Sequence, residues 1–200
     1  MATLLTPTAR LAASPDGLSA VQDDHCNLAV WERAANPAFA SLLEAPVASA
    51  RFNAPVSDLR ARILAQVAQA GYPKTSARTA LIDDIVALAE RYASLMKLDA
   101  VSVRLAIVTS DSCRKFHADY VKARLITTYV GTGTQWIDGK DAERVARGQD
   151  PVRINTLGAG DVGLFKGKIA TRYPAIHRSP PIARTGETRL MLVLDPARDD

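Results

Sequence analysis

The apolar period of this chain changes once, near Asp99, from about 3.6 residues to about 2, and that switch constrains the fold more than any other feature. Before it, Leu59, Ile63, Val67 and Ala70 recur at three- and four-residue spacing behind Ser57, the expected cap of a helix that Gly71 stops. A longer helix is predicted from about Thr79 to Lys97, with Leu81, Ile82, Ile85, Val86, Ala89, Tyr92, Leu95 and Met96 on one broad stripe. After the switch, Val101, Val103, Leu105 and Ile107 alternate with Ser102, Arg104, Ala106 and Val108, which is the pattern of a strand. Arg124 to Val130 is β-branched and aromatic, Val152 to Thr156 and Val162 to Lys166 read as short strands, and Arg189 to Leu194 as a strong final one. Gly131-Thr-Gly133-Thr and Gly158-Ala-Gly160-Asp161 mark turns between them. Helices followed by short strands predict an α+β fold in which an N-terminal helical layer covers a β-sandwich or jelly roll.

Upstream, Cys26 to Arg33 alternates enough for a short strand anchored by Trp31, and Asn36-Pro37 can start a helical segment. Residues 1–24 show no periodicity and are expected to form a loose arm. The remainder, 25–200, is expected to be one domain, with the helical layer over about 36–98 and the β core over about 100–195. A composition 48% hydrophobic and 23% charged is enough for an ordinary core. The net charge is +4, but the basic residues are scattered and no run of them reads as a nucleic-acid or membrane patch. No apolar run reaches the length of a membrane span, and the first ten residues lack the basic and then apolar order of a secretory leader. Two cysteines, Cys26 and Cys113, are too few for a disulfide framework, so a reduced, cytoplasmic protein is expected. A homodimer is the assembly to test, since jelly rolls with a long helical layer often pair.

The chemistry concentrates in Cys113-Arg-Lys-Phe-His117-Ala-Asp119 and, far downstream, His177-Arg178-Ser179-Pro180-Pro181. At i and i+2 on an extended strand, His117 and Asp119 leave the same face and can grip one ion, with His177 as third ligand. Two imidazoles and one carboxylate on one side of a metal, with the other positions open, suit a non-haem Fe(II) oxygenase. Arg189, opening the last strand, can clamp the carboxylate of an oxoacid co-substrate through its planar fork. Arg178 competes with it for the anion, and Arg124, sharing a strand face with Ile126 and Thr128, can also point into the pocket. Cys113 is the complication: a thiolate beside two histidines and a carboxylate favours Zn²⁺, and such a closed set would make a non-catalytic, cupin-like metal-binding protein suited to zinc handling.

The order His-x-Asp, strand, Gly-rich turn, Gly160-Asp161-Val-Gly-Leu-Phe165, His177 and Gly186-Glu-Thr-Arg189-Leu resembles the double-stranded β-helix of 2-oxoglutarate/Fe(II)-dependent oxygenases, over roughly Val101 to Leu194. That resemblance implies Fe(II) held by His117, Asp119 and His177, Arg189 on the distal carboxylate of 2-oxoglutarate, and Tyr129 or Thr127 hydrogen-bonding the co-substrate. The primary substrate it implies is a small or peptidyl molecule. Arg178 and the rigid Ser179-Pro180-Pro181 are not general features of those enzymes. More narrowly, Phe116-His-Ala-Asp-Tyr120, Arg124 to Trp136, Phe165-Lys-Gly167 and His177-Arg-Ser-Pro-Pro181 resemble a bacterial family of proteins of unknown function, with the likeness reaching back to Asn27-Leu-Ala-Val-Trp31.

Overall fold

The switch at Asp99 is the passage from a helix pair to antiparallel strands. The protein is described here by a computed structural model, over residues 8–197. Along the chain run β1 (Thr8–Ala12), β2 (Cys26–Trp31), β3 (Ala50–Pro55), α1 (Leu59–Gln69), α2 (Ser76–Met96), β4 (Ala100–Val108) and β5 (Ala123–Val130). Then follow β6 (Gln135–Ile137), α3 (Gly139–Ala146), β7 (Asn155–Thr156), β8 (Val162–Lys166), β9 (Ile176–Arg178) and β10 (Arg189–Pro196).

The helices begin and end for local reasons. Thr75 caps α2 by accepting from the Arg78 N–H at 3.2 Å, and Lys97, in the left-handed region at φ 55°, ends it. At the start of α1 the cap position belongs to Asp58, which makes no side-chain capping bond, rather than to Ser57. Leu59, Ile63 and Val67 are buried from α1, and Leu81, Ile82, Ile85, Val86, Ala89 and Tyr92 from α2, as the stripes require.

Seven strands form one sheet in the order β1-β2-β8-β5-β10-β4-β3, parallel only between β1 and β2. A smaller sheet has the order β7-β6-β9. Strand alternation gives the large sheet two different faces. One face carries Val103, Leu105, Leu125, Leu190, Leu192 and Leu194 and packs with α1 and α2 into the main apolar core. The other carries Leu28, Val30, Ile126, Phe165, Met191 and Val193, which cluster with Leu157 and Ala175 and, partly buried, Trp136 of the small sheet. The architecture is thus mixed α+β: helices, large sheet, small sheet. No described helix is long and apolar enough to cross a membrane.

Three expectations change. Residues 8–24 are not a loose arm: β1 pairs with β2, and the 3-10 turn Pro15–Gln22 buries Leu18 and Val21 in the main core. Its apolar residues are too few to show a period, yet two well-placed ones suffice to dock a short segment. The part of that arm before Thr8 lies outside the described residues. Cys113 to Tyr120 is a loop with a single bridge, not a strand. The strand expected at Val152 is confined to Asn155–Thr156, because Val152 and Ile154 face solvent.

Candidate metal centre

The small sheet positions one histidine and captures the other. His177 lies in β9 opposite Trp136 of β6, and the loop carrying His117 docks on it through two backbone bonds, each 2.9 Å, from His117 N–H to His177 O and back. This isolated bridge sets the imidazoles side by side, 4.8 Å between ring centroids. Asp119 follows on the same loop, pinned where the Lys168 N–H donates to its carbonyl at 2.9 Å. Gly167 permits that approach: a Cβ there would stand 2.2 Å from the Val121 carbonyl oxygen and 2.9 Å from that of Asp119.

Three ligand atoms, one each from His117, Asp119 and His177, lie within 4.8 Å of one another. Nε2 of His177 is 3.2 Å from Oδ2 of Asp119, and Nε2 of His117 is 3.8 Å from Oδ1. Each ring turns Nδ1 toward the carbonyl two residues earlier, Lys115 O at 2.8 Å and Ala175 O at 3.4 Å. We assign the ring proton to Nδ1 from those contacts, which leaves both Nε2 lone pairs facing the carboxylate. Oδ2 is then close to His177 without a donor, and it stands as a buried oxygen with no hydrogen-bond partner. Lone pairs on three converging atoms with one buried oxygen left over are what a bound cation resolves.

Asp119 is held from behind by Arg124. NH1 of Arg124 donates to Oδ1 of Asp119 at 2.5 Å, while its Nε and NH2 fork onto Asp195 at 2.7 and 2.9 Å. Burial pushes the Asp119 carboxyl up; a protonated His177, the charge of Arg124 and a protonated His117 pull it below the ordinary carboxylate value, and with both rings neutral the adjacent Arg124 guanidinium is the group that favours the anion. It is therefore an anion ready to bind metal. The ring of Phe165 covers the far side of His177, 4.6 Å between centroids.

A cavity of about 120 Å³ opens beside the triad. Ser179 lines it, and behind Ser179 lies Arg189, fully buried. Arg189 donates to the Thr132 carbonyl at 2.6 Å and to the hydroxyls of Ser179 and Thr128 at 3.3 Å each. Burial pulls its pKa down and the charge of nearby Glu187 opposes the shift, but the Glu187 carboxylate accepts from the N–H and hydroxyl of Thr132. No carboxylate pairs with Arg189 among the described residues. A buried guanidinium bonded only to neutral oxygens is uncommon.

Residues 12–195 match the family described as "Protein of unknown function (DUF1826)". The chain belongs to that family. No curated protein matches it. Among solved structures, this DUF1826 protein is similar to the Arabidopsis thaliana dioxygenase for auxin oxidation 1 in a 2-oxoglutarate complex: 11% identity, 84% of this chain and 67% of that one, TM-score 0.45. It is also similar to a Pseudomonas putida prolyl-4-hydroxylase, at 13% identity and TM-score 0.37, covering 84% of this chain and 100% of that one. HygX of Streptomyces hygroscopicus, solved with nickel and 2-oxoglutarate, shares 13% identity over 93% of this chain and 88% of its own, TM-score 0.41.

The DUF1826 chain places the other expected residues unevenly. Arg124 and Arg178 both line the cavity; Arg178 donates to Gln135 at 2.8 Å and lies over the Phe116 ring, 4.4 Å from its centroid. Tyr129 and Thr127 do not reach the cavity. They stand on the helix-facing side of β5, where Tyr129 donates to Asp84 at 2.8 Å and packs edge-on against Phe39, and Thr127 donates to the Gly160 carbonyl at 3.4 Å. Strand alternation is the reason, for Ile126 and Thr128 take the opposite side. Cys113 is exposed and lines the cavity without joining the three converging ligands. The sequence reading missed Arg104, which lines the cavity, and Asp195, which anchors Arg124. A charge at the polar phase of an otherwise apolar strand was the available signal for both.

Proposed function

We propose that this protein is a non-haem Fe(II)/2-oxoglutarate-dependent oxygenase of the hydroxylase type, its two sheets forming a double-stranded β-helix. The observation that carries the reading is the convergence of His117, Asp119 and His177 with one buried carboxylate oxygen left without a donor. The buried Arg189, lacking a carboxylate partner, supports a place for a dicarboxylate co-substrate nearby.

Iron held on one face by two imidazoles and a carboxylate would keep positions open for a 2-oxo acid and dioxygen, and would supply the redox chemistry that couples oxidative decarboxylation to substrate oxidation. The protein's own groups do the holding. The Nδ1 contacts to Lys115 and Ala175 aim both Nε2 atoms, and Arg124, braced by Asp195, fixes the Asp119 carboxylate. Phe165 and the apolar wall of Ile126, Met191 and Val193 limit water. Arg189 would take the distal carboxylate of 2-oxoglutarate. Metal binding requires Asp119 ionised and both Nε2 atoms unprotonated, so it weakens in acid.

The test is succinate formation from 2-oxoglutarate by protein stripped of metal and reloaded with Fe(II). Turnover is expected in the wild type, absent in His117→Ala, Asp119→Ala and His177→Ala, and reduced at least about tenfold in Arg189→Met. Turnover surviving in all three alanine variants would overturn the reading. Zinc held in a form that Cys113→Ser releases, with no Fe(II)-dependent turnover, would favour a zinc-handling protein instead.

A further inference from the structure

The cavity beside the triad has a one-sided charge. Its lining includes Arg104, Arg124 and Arg178 but no aspartate or glutamate. Arg124 is occupied by Asp119 and Asp195. The other two are not. Arg104 is exposed and makes no side-chain hydrogen bond or ion pair among the described residues; the Asp195 carboxylate attracts it from a distance, but its partner across the strand pair is Arg51, another cation. Like charges opposite one another on a sheet destabilise it, so this pairing is tolerated rather than structural. Arg178 makes one hydrogen bond, through Nε to Gln135, and rests on Phe116, leaving its terminal nitrogens without a partner among the described residues.

The two residues reach the cavity from different layers. Arg104 comes from β4 of the large sheet and Arg178 from β9 of the small one, so both sheets contribute a guanidinium to the lining of one cavity. The lining also has an apolar part, Val108, Ile126, Met191 and Val193, beside the neutral polar Ser112, Thr134 and Ser179. The loop leading to His117 adds Arg114 and Lys115 against one carboxylate, Asp111, a net positive balance that favours approach of a negative ligand.

From this we infer that the primary substrate is a small molecule with an apolar body and a carboxylate or phosphate group, whose oxygens are bound by Arg104 and Arg178. The assignment rests on the reading of the triad and Arg189 as a metal and co-substrate site, and it gives the remaining free guanidinium groups of the cavity to the substrate. Both are positioned to form charge-assisted hydrogen bonds, the kind that discriminate most strongly against a neutral analogue.

The experiment uses full-length protein loaded with Zn²⁺, which is diamagnetic, and saturated with 2-oxoglutarate. Butyrate, butyl phosphate and the neutral butyramide are titrated in and followed by NMR. At least one anion is expected to bind about tenfold or more tighter than butyramide, and the stronger anion tells carboxylate from phosphate. Arg104→Gln and Arg178→Gln should each remove most of that preference, while Arg104→Lys and Arg178→Lys, which keep the charge, should retain part of it. Equal binding of butyramide and both anions, or full anion preference in both glutamine variants, overturns the assignment. So does a loss of 2-oxoglutarate rather than of the anion in Arg178→Gln, which would give Arg178 to the co-substrate. If the wild type fails to bind 2-oxoglutarate at all, the co-substrate reading falls. The anion preference of the metal-loaded protein, with and without Arg104 and Arg178, still decides the present one.

Discussion

The two faces of the large sheet come from the same strands and treat polar groups in opposite ways. On the helix side the charged groups are paired, although the buried Tyr72 hydroxyl has no hydrogen-bond partner. Arg33 donates to both oxygens of Asp84 at 2.5 and 2.9 Å, Tyr129 donates to the same carboxylate at 2.8 Å, and Leu105, Leu125, Leu190, Leu192 and Leu194 fill the surrounding core. On the cavity side, Arg104, Arg178 and Arg189 have no carboxylate partner among the described residues, and Asp119 keeps an oxygen without a donor. A closed network fixes one arrangement of its groups, whereas an open one leaves charges that a bound ligand could satisfy. This contrast, more than any single distance, separates the helix side of the sheet from the side that carries the candidate site.

The contrast can be broken from the helix side first. Leu192→Ala should cost about 2–5 kcal/mol in chemical denaturation, because Leu192 is fully buried in the main core, while metal affinity stays unchanged. A metal affinity that falls along with stability would mean the two faces are not independent. From the cavity side, Arg124→Gln should lower metal affinity by about 10–100-fold, since it frees the carboxylate of Asp119 from its brace. Calorimetric titration with Zn²⁺ checks this, and unchanged affinity would make the Arg124–Asp119–Asp195 link purely structural.

The smallest effect serves as a control lying off both faces. Asp141 accepts the N–H groups of Val152 at 2.7 Å and Arg153 at 2.9 Å, and these bonds hold its carboxyl below the ordinary value against the opposing effect of burial. A group with a depressed folded pKa gives stability that is complete above its unfolded pKa and lost as pH falls through the folded one. Wild type should therefore lose more melting temperature than Asp141→Asn between about pH 7 and about pH 3. An identical loss in both would show that the bonds to Val152 and Arg153 add nothing to folding.

Reading a period of two reveals that a strand has two unlike faces, but not which layer each face will meet. The alternation therefore located β4, β5, β8 and β10, while the side taken by Tyr129 and Thr127 stayed open. Those two residues turn toward the helices because their neighbours Ile126 and Thr128 take the cavity side. The His117 loop shows the same limit. Its spacing to Asp119 suggested a strand, yet the residues converge through a single bridge to β9 and a glycine that lets two backbones touch.

Sequence alone determined the α+β order, the helix stripes, the late strand opened by Arg189 and the three residue types able to share an ion, because each is written in local period or chemistry. Only the tertiary structure decided that β1 and the Pro15–Gln22 turn belong to the core, that Asp195 braces Arg124, and that Arg104 and Arg178, from different sheets, line one cavity. Those relations join residues far apart in the chain, and their partners are chosen by how layers stack rather than by anything a short window of sequence carries.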